Sequence, residues 1–567
     1  MARPGEKGQR VFIKLALGVL VGFILFVFLC WGGYRFYAVA ESRHLARRGA
    51  AYLSGGGLRE AALAGRRALQ LNPSNVAGIR LLAELSERAG DRSALGWRRK
   101  AIELDPDSIE DTLAFVNCSL QFKDIATAEK TLLQVNEKAR ETAEFHATAA
   151  RLAEAKKETV EAEDNWTKAA KLAPENKYYQ LQLGLALLRV NNPAKREAAI
   201  TMLKQLRSDG KQGAAATRAL IIDGIAHHAN GQDLAVLARE LQNYPDPPFS
   251  DRLLYLDLLR QLHDPQFAGF LTDAEKDAAV EPGNLAALLS WMNANGMSLL
   301  AIDFARTLPN DALAKWPVPL ASAESYVKLA DWPKLESLLR DKNWGQFDFL
   351  RHAYLSRAFR EEGRPAPADR EWMLAQKQAG SQVQFLSVLS RTVSEWGWEK
   401  ETADLLWMLT KYPEAQLEAF QALYKKYTAA GDTPGLYRVL MRLADLTPAD
   451  RRIQNNLAQL RLLLSADMDR ARKVAAEIYS KEPSNPDYVS TYAFALYTKG
   501  DANGGLKVMN GLSESQLRDP SLAAYYGILL AAVGENEKAR KYLKLAASAK
   551  LLPEERALVT KAENSLE

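Results

Sequence analysis

Apolar residues recur along most of this chain at intervals of three and four, as at Leu436, Leu440 and Leu443, and strict alternation is missing. That period places them on one face of an amphipathic helix and argues against strands. Short polar turns interrupt it near Gly56, Gly90, Lys123, Lys157, Asn191, Gly231, Asp264, Gly296, Ala330, Gly363, Gly397, Gly431, Ala466, Gly500 and Gly534. Their spacings are 34, 33, 34, 34, 40, 33, 32, 34, 33, 34, 34, 35, 34 and 34 residues. A helix, a tight turn and a second helix fill about 34 residues, so the pattern predicts about 15 helix-turn-helix units and an all-α fold. The ends of the units echo one another: "ALQLNPSN" starts at Ala68, "AIELDPDS" at Ala101 and "AAKLAPEN" at Ala169. Asn75 and Ser108 are expected to cap the helices that follow. Pro413, Pro448, Pro483, Pro520 and Pro553 are expected to stop the second helix of each unit.

The last unit, "SLAAYYGILLAAVGENEKARKYLKLAASAKLLP", carries Tyr526, Gly527, Leu530, Gly534, Ala539, Leu543, Ala546 and Pro553. These positions resemble the signature of the tetratricopeptide repeat (TPR), in which small residues sit where two helices touch. The resemblance implies a right-handed TPR-like α-solenoid. Three stretches are expected: an N-terminal array over 41–190, degenerate Trp-rich repeats over 191–407, and a C-terminal array over 408–553. A polar capping helix over 554–567 would end the stacking. The stretch "SDGKQGAAATR" adds six residues to the period, and small positions are weakly kept between Asn191 and Trp407.

By the same resemblance, the first helix of each unit lines an inner groove that holds a peptide segment or a helix of another protein. In the C-terminal array the inward positions would be Gln421, Lys425, Asn455, Gln459, Ser490, Phe494, Tyr497, Ala524 and Ile528. Amides such as Asn455 and Gln459 can bond a peptide backbone in both directions, and Phe494 and Tyr497 add apolar area. Lys425 stands alone, so a clamp on a terminal carboxylate is not expected.

The first forty residues follow a different pattern. After a short basic tail over 1–14, the run "LALGVLVGFILFVFLCWGGY" from Leu15 is uncharged until Arg35. Twenty residues of helix span about 30 Å, the thickness of a bilayer core. Trp31, Tyr34, Phe36 and Tyr37 gather at its end as an aromatic belt would. A transmembrane helix over 15–37 is predicted. Ala38, Val39 and Ala40 have the small-x-small form of a cleavage site, but the apolar run is longer than a signal h-region and Arg35 intrudes, so an uncleaved anchor is the reading. Basic residues flank both sides; a short basic tail before the first apolar helix favours a single-pass protein of a bacterial inner membrane with the repeats exported, on the periplasmic side.

Composition changes this picture little. With 567 residues, 74 basic against 69 acidic and a formal net charge of +5, the chain carries no charge excess that would draw nucleic acid. Two cysteines, Cys30 and Cys118, make no disulfide framework or metal pair. Hydrolase, kinase, nucleotide and zinc signatures are missing, the six histidines are scattered, and Gly55 to Gly57 fall at an expected turn. No catalytic residue, metal site or cofactor is therefore assigned, and the chain is not expected to be an enzyme. Eight of the eleven tryptophans lie between Trp291 and Trp407. Trp332, Trp396 and Trp398, beside turns, form a candidate aromatic ligand surface. The expected function is a membrane-anchored scaffold or adaptor for protein-protein interactions in a cell-envelope assembly. The alternative is a component of polysaccharide export or modification whose Trp-rich middle contacts glycan.

Overall fold

A computed structural model describes residues 31–567. The predicted span over 15–37 lies mostly outside the described residues; its described part, 31–37, is helical and continuous with helix to residue 54. Among the described residues no helix is long and apolar enough to cross a membrane. Every regular element described is helical. The chain divides into two compact units, Met1–Val280 and Glu281–Glu567, so the dividing point falls inside the stretch 191–407.

In the first unit, hairpins follow one another from 31–54 with Leu58–Leu71 to Phe249–Gln261 with Phe267–Ala278. The second unit runs from Pro282–Ala294 with Ser298–Arg306 to Pro520–Ala532 with Asn536–Ala546, and ends in the helix Pro553–Asn564. Helices pack mainly on their neighbours in sequence. Each unit is an array of helix-turn-helix hairpins.

The repeated turn has one chemistry. A residue with left-handed backbone ends the first helix: Gly56, Gly90, Gly296, Gly363, Gly397, Gly431, Gly500 and Gly534, or Lys123, Lys157, His228, His263, Ala330 and Ser465. The next N–H then bonds back five residues, as Asp91 to the Ser86 carbonyl at 2.8 Å, Glu158 to Ala153 at 2.8 Å and Asp432 to Tyr427 at 3.0 Å. This closes the helix end with a Schellman motif. Often the residue after it is an aspartate that caps the second helix, as Asp124, Asp331, Asp432 and Asp501 do. At Asn191 the turn is built differently, with Asn192 as the cap before Pro193. Nothing would touch a Cβ at Gly397, whose φ is +74°. Gly397→Ala is therefore expected to cost about 1 kcal/mol through backbone strain alone, measured as a shift of the urea midpoint at unchanged slope.

Between hairpins, Asn75 and Ser108 cap the next helix as the sequence suggests, accepting from the N–H of Gly78 at 3.1 Å and of Asp111 at 3.2 Å. Three of the five prolines act differently from the expectation, while Pro448 and Pro483 directly follow the C-caps Thr447 and Glu482 of second helices, as expected. Pro413, Pro520 and Pro553 occupy the first position of the following helix, where their fixed φ fits and no N–H is required. Pro448 and Pro483 lie in turns after the preceding helix has ended. Small residues do allow close approach: Ala539 and Ala546 are fully buried, and a Cβ on Gly527 would fall 2.8 Å from the Leu543 side chain.

Candidate functional site

The final helix does not merely cap the array. It reaches back across the C-terminal hairpins, because the link Ala547–Leu552 after Ala546 redirects the chain. At its start, Leu552 packs against the cluster of Leu436, Leu440, Ala444, Leu457 and Leu460, and the Thr433 hydroxyl donates to Glu554 at 2.5 Å. Mid-helix, Leu558 packs against the cluster holding Leu462, Phe494 and Tyr525. Towards its end, Val559, Ala562 and Leu566 join Tyr526, Tyr542 and Leu543. Twelve helical residues, about 18 Å, thus touch hairpins from Thr433 to Leu543.

One polar knot fixes its register. Glu555 is buried; its Oε1 accepts from the Tyr525 hydroxyl at 2.5 Å and from Gln459 Nε2 at 3.0 Å. Its Oε2 accepts from the Leu552 N–H at 2.9 Å. Gln459 Nε2 also bonds the Tyr525 hydroxyl at 2.7 Å. The carboxylate is satisfied by neutral donors and makes no ion pair among the described residues. Burial, and then the charge of Glu555, push the Tyr525 hydroxyl well above its ordinary pKa, so it remains a donor at any working pH.

The residues assigned to the groove from sequence are distributed accordingly. Gln421 and Lys425 are exposed. Gln459 and Tyr497 are half-buried, and Asn455, Ser490, Phe494, Ala524 and Ile528 are buried. Ser490 Oγ bonds the Asp487 carbonyl of its own helix at 3.0 Å. Asn455 Oδ1 is buried and finds no partner among the described residues. Phe494, only 3 % exposed, stacks on Tyr497 and meets Tyr525 at a tilt. Sequence reasoning missed Thr433, Tyr525, Leu552, Glu554, Glu555 and Leu558. The available signal was the helix "PSLAAYYGILLAA", which has no polar face, and such a helix is covered on every side.

The three tryptophans of the proposed ligand surface face their own chain. The Arg357 guanidinium lies 5.5 Å from the Trp332 ring and 4.8 Å from that of Trp396. Arg360 sits 3.9 Å above Trp398, and Trp396 and Trp398 meet edge to face at 5.2 Å. Burial pushes the Arg357 pKa down, and cation–π contact offsets part of its lost hydration. These ring faces are engaged by arginine.

A buried ionic cluster lies in the same stretch. Arg351 Nε and Nη2 donate to the two Asp348 oxygens at 2.6 and 2.8 Å. His352 Nδ1 is 2.6 Å from Glu371 Oε2, and its Nε2 is 3.3 Å from Asp348 Oδ2. Gln378 closes the cluster 3.2 Å from His352 Nε2. Asp348, Arg351, His352 and Glu371 are each under 9 % exposed and join the helices Asp348–Glu361 and Pro365–Ala379. Largely shielded from solvent and tied across two helices, the cluster is a structural pin. Among the described residues no group of three or more histidine, cysteine or acidic side chains could hold a metal ion.

No protein-family model matches the sequence, and no curated protein matches it. Solved structures similar to the chain include the crystal structure of an APC/C hetero-tetramer, Cut9–Hcn1, at 12 % identity, covering 93 % of this chain and 98 % of that one with a TM-score of 0.29. Another is the structure of Naa15/Naa10 bound to HypK-THB, at 14 % identity, 92 % and 70 % coverage and a TM-score of 0.23. Superpositions this loose carry no argument about function, which rests on the hairpins and the groove themselves.

Proposed function

We propose that the chain is a membrane-anchored scaffold whose C-terminal hairpins bind an amphipathic helix of another protein, and that its own helix Pro553–Asn564 occupies that site in the closed state. The observation that carries this reading is the seating of a helix against several hairpins through a buried glutamate and apolar side chains. It is a helix-in-groove mode, and it specifies the ligand: a helix with a leucine three residues before a glutamate and another three residues after it, as at Leu552, Glu555 and Leu558. Anchorage is supported by the basic tail over 1–14 and the uncharged run from Leu15. An envelope assembly on the exported side is the setting that follows from that anchor.

Glu555→Lys tests the reading, because an ammonium there would stand among the Tyr525 hydroxyl, the Gln459 amide and the Leu552 N–H in place of the carboxylate they bond, so the resident helix is released while the hairpins keep their helical fold. A photo-crosslinking residue at the exposed position Lys425 should then capture a defined protein several-fold more strongly than in the wild-type background. The captured segment should be an amphipathic helix bearing the leucine and glutamate spacing above. Equal capture in both backgrounds, or a captured segment without that pattern, would contradict the proposal.

A further inference from the structure

A second cavity, distinct from the groove, lies within the second unit between the hairpin Pro282–Ala294 with Ser298–Arg306 and the hairpin Val318–Lys328 with Trp332–Leu339. Its volume is about 340 Å³, within the range of small-molecule sites and far more than one water needs. The chain makes this space by inserting the short helix Asn310–Ala314 between the hairpins, where most units pass directly to the next first helix. Leu313 and Ala314 of that insert form part of the wall.

The lining is asymmetric. Ala301, Ile302, Leu339 and Trp344 are buried and make an apolar floor. Ser322 also lines the cavity; its Oγ is shielded from solvent yet finds no hydrogen-bond partner among the described residues. Buried hydroxyls in native proteins are nearly always satisfied, so an unpaired one facing a space of this size calls for an occupant with a polar atom. At the exposed edge stand Arg306 and Lys342, and no carboxylate lines the cavity. Asp303 pairs with Arg306 at 3.1 Å from outside the lining, whereas Lys342 makes no ion pair among the described residues.

We infer that this cavity binds a small amphipathic anion, an aliphatic chain bearing one carboxylate, with the chain against Ile302, Leu339 and Trp344 and the charge beside Lys342 and Arg306. Loose packing alone explains a void between irregular repeats, but it does not place Arg306, an unpaired Lys342 and a shielded, unpartnered hydroxyl around an apolar floor; Asn310, Ser325 and Asn343 complete the polar part of the wall. The site is independent of the groove, so failure of either reading leaves the other standing.

The test is calorimetric titration of the whole chain with sodium decanoate and with decylammonium chloride, both below their micellar concentrations. Decanoate should bind with one-to-one stoichiometry and at least ten-fold more tightly than the amine of equal length. Lys342→Glu, at an exposed position, should weaken decanoate at least ten-fold and narrow that preference. Ala305→Trp, which fills the half-buried wall, should abolish binding while leaving the far-ultraviolet melting curve unchanged. No saturable binding of decanoate, equal affinity for the two probes, or wild-type affinity in Lys342→Glu would overturn the assignment, and if Ala305→Trp does not fold, Lys342→Glu alone decides.

Discussion

Arg351→Met is expected to lower the stability of the Glu281–Glu567 unit by about 3–5 kcal/mol. Removing the guanidinium leaves Asp348 buried at 7 % exposure with the Trp344 N–H at 2.9 Å, His352 at 3.3 Å and the Gln378 amide at 3.5 Å as its remaining contacts. Arg351 Nη1 also holds the Leu339 carbonyl at 3.3 Å, so the loop from Leu339 to Trp344 loosens at the same time. The double variant Asp348→Leu with Arg351→Met should recover much of the loss, because the penalty lies in the unpaired charge rather than in the missing pair. Denaturant midpoints of the single and double variants measure both quantities. Burial works against the Asp348 carboxylate, but Arg351, the Trp344 N–H and His352 more than offset it and hold its pKa below the ordinary value. A carboxyl held low when folded contributes stability that is fully present above its unfolded value, near 4, and is lost as pH falls through the folded one. The wild-type unit should therefore weaken below about pH 4, and the double variant should lack that component of its acid dependence.

The second large effect is expected from ending the chain at Lys550. This removes Val559, Ala562 and Leu566 from one apolar cluster and the half-buried Leu552 and Leu558 from two others. It also uncovers faces of Phe494 and Tyr525 and leaves the Gln459 amide without its carboxylate. Each large side chain returned to water costs about 1.5–3 kcal/mol, partly offset by the entropy regained by the released segment. Amide exchange in Arg451–Leu463, Pro486–Thr498 and Pro520–Ala532 should accelerate by about ten-fold or more, since ten-fold corresponds to only about 1.4 kcal/mol. Exchange in the Met1–Val280 unit should stay as it is, because the contacts of the helix described above all fall between Thr433 and Leu566.

Much of this fold was legible in the sequence because one turn recurs. A left-handed residue followed by a cap leaves a readable mark, Gly or Lys then Asp, about every 34 residues, and the small residues at Gly527, Ala539 and Ala546 follow from helix contact. Pro413, Pro520 and Pro553 were misread because a proline that opens a helix and one that follows the end of the previous helix, as Pro448 and Pro483 do, occupy nearly the same place in a repeat. Of the nine positions assigned to the groove from sequence, Gln459 bonds the final helix and Phe494 lies in the cluster that Leu558 packs against, while most of the others are buried among the hairpins themselves. The groove's occupant was hidden because "EERALVTKAENSLE" is rich in charge, and its apolar stripe, Leu558, Val559, Ala562 and Leu566, is short. The buried cluster around His352 was also missed: His352 and Glu371 are 19 residues apart on two helices, and only the packing of that hairpin brings them within 2.6 Å.

The most direct test of the central claim, that the C-terminal hairpins form a helix-binding groove closed by its own helix, is a titration of a fluorescent peptide spanning residues 550–567. It is added to the chain ended at Lys550 and to the full chain. A helix tethered by a few residues acts at an effective concentration of about 1 mM, so a peptide that binds the open groove at about 10 μM should be weakened roughly 100-fold by the resident helix. The account predicts saturable binding to the shortened chain, binding at least 30-fold weaker to the full chain, and none by a peptide carrying Glu555→Lys. A shortened chain that keeps its helical circular dichroism yet binds neither peptide, or binds both equally, would contradict it.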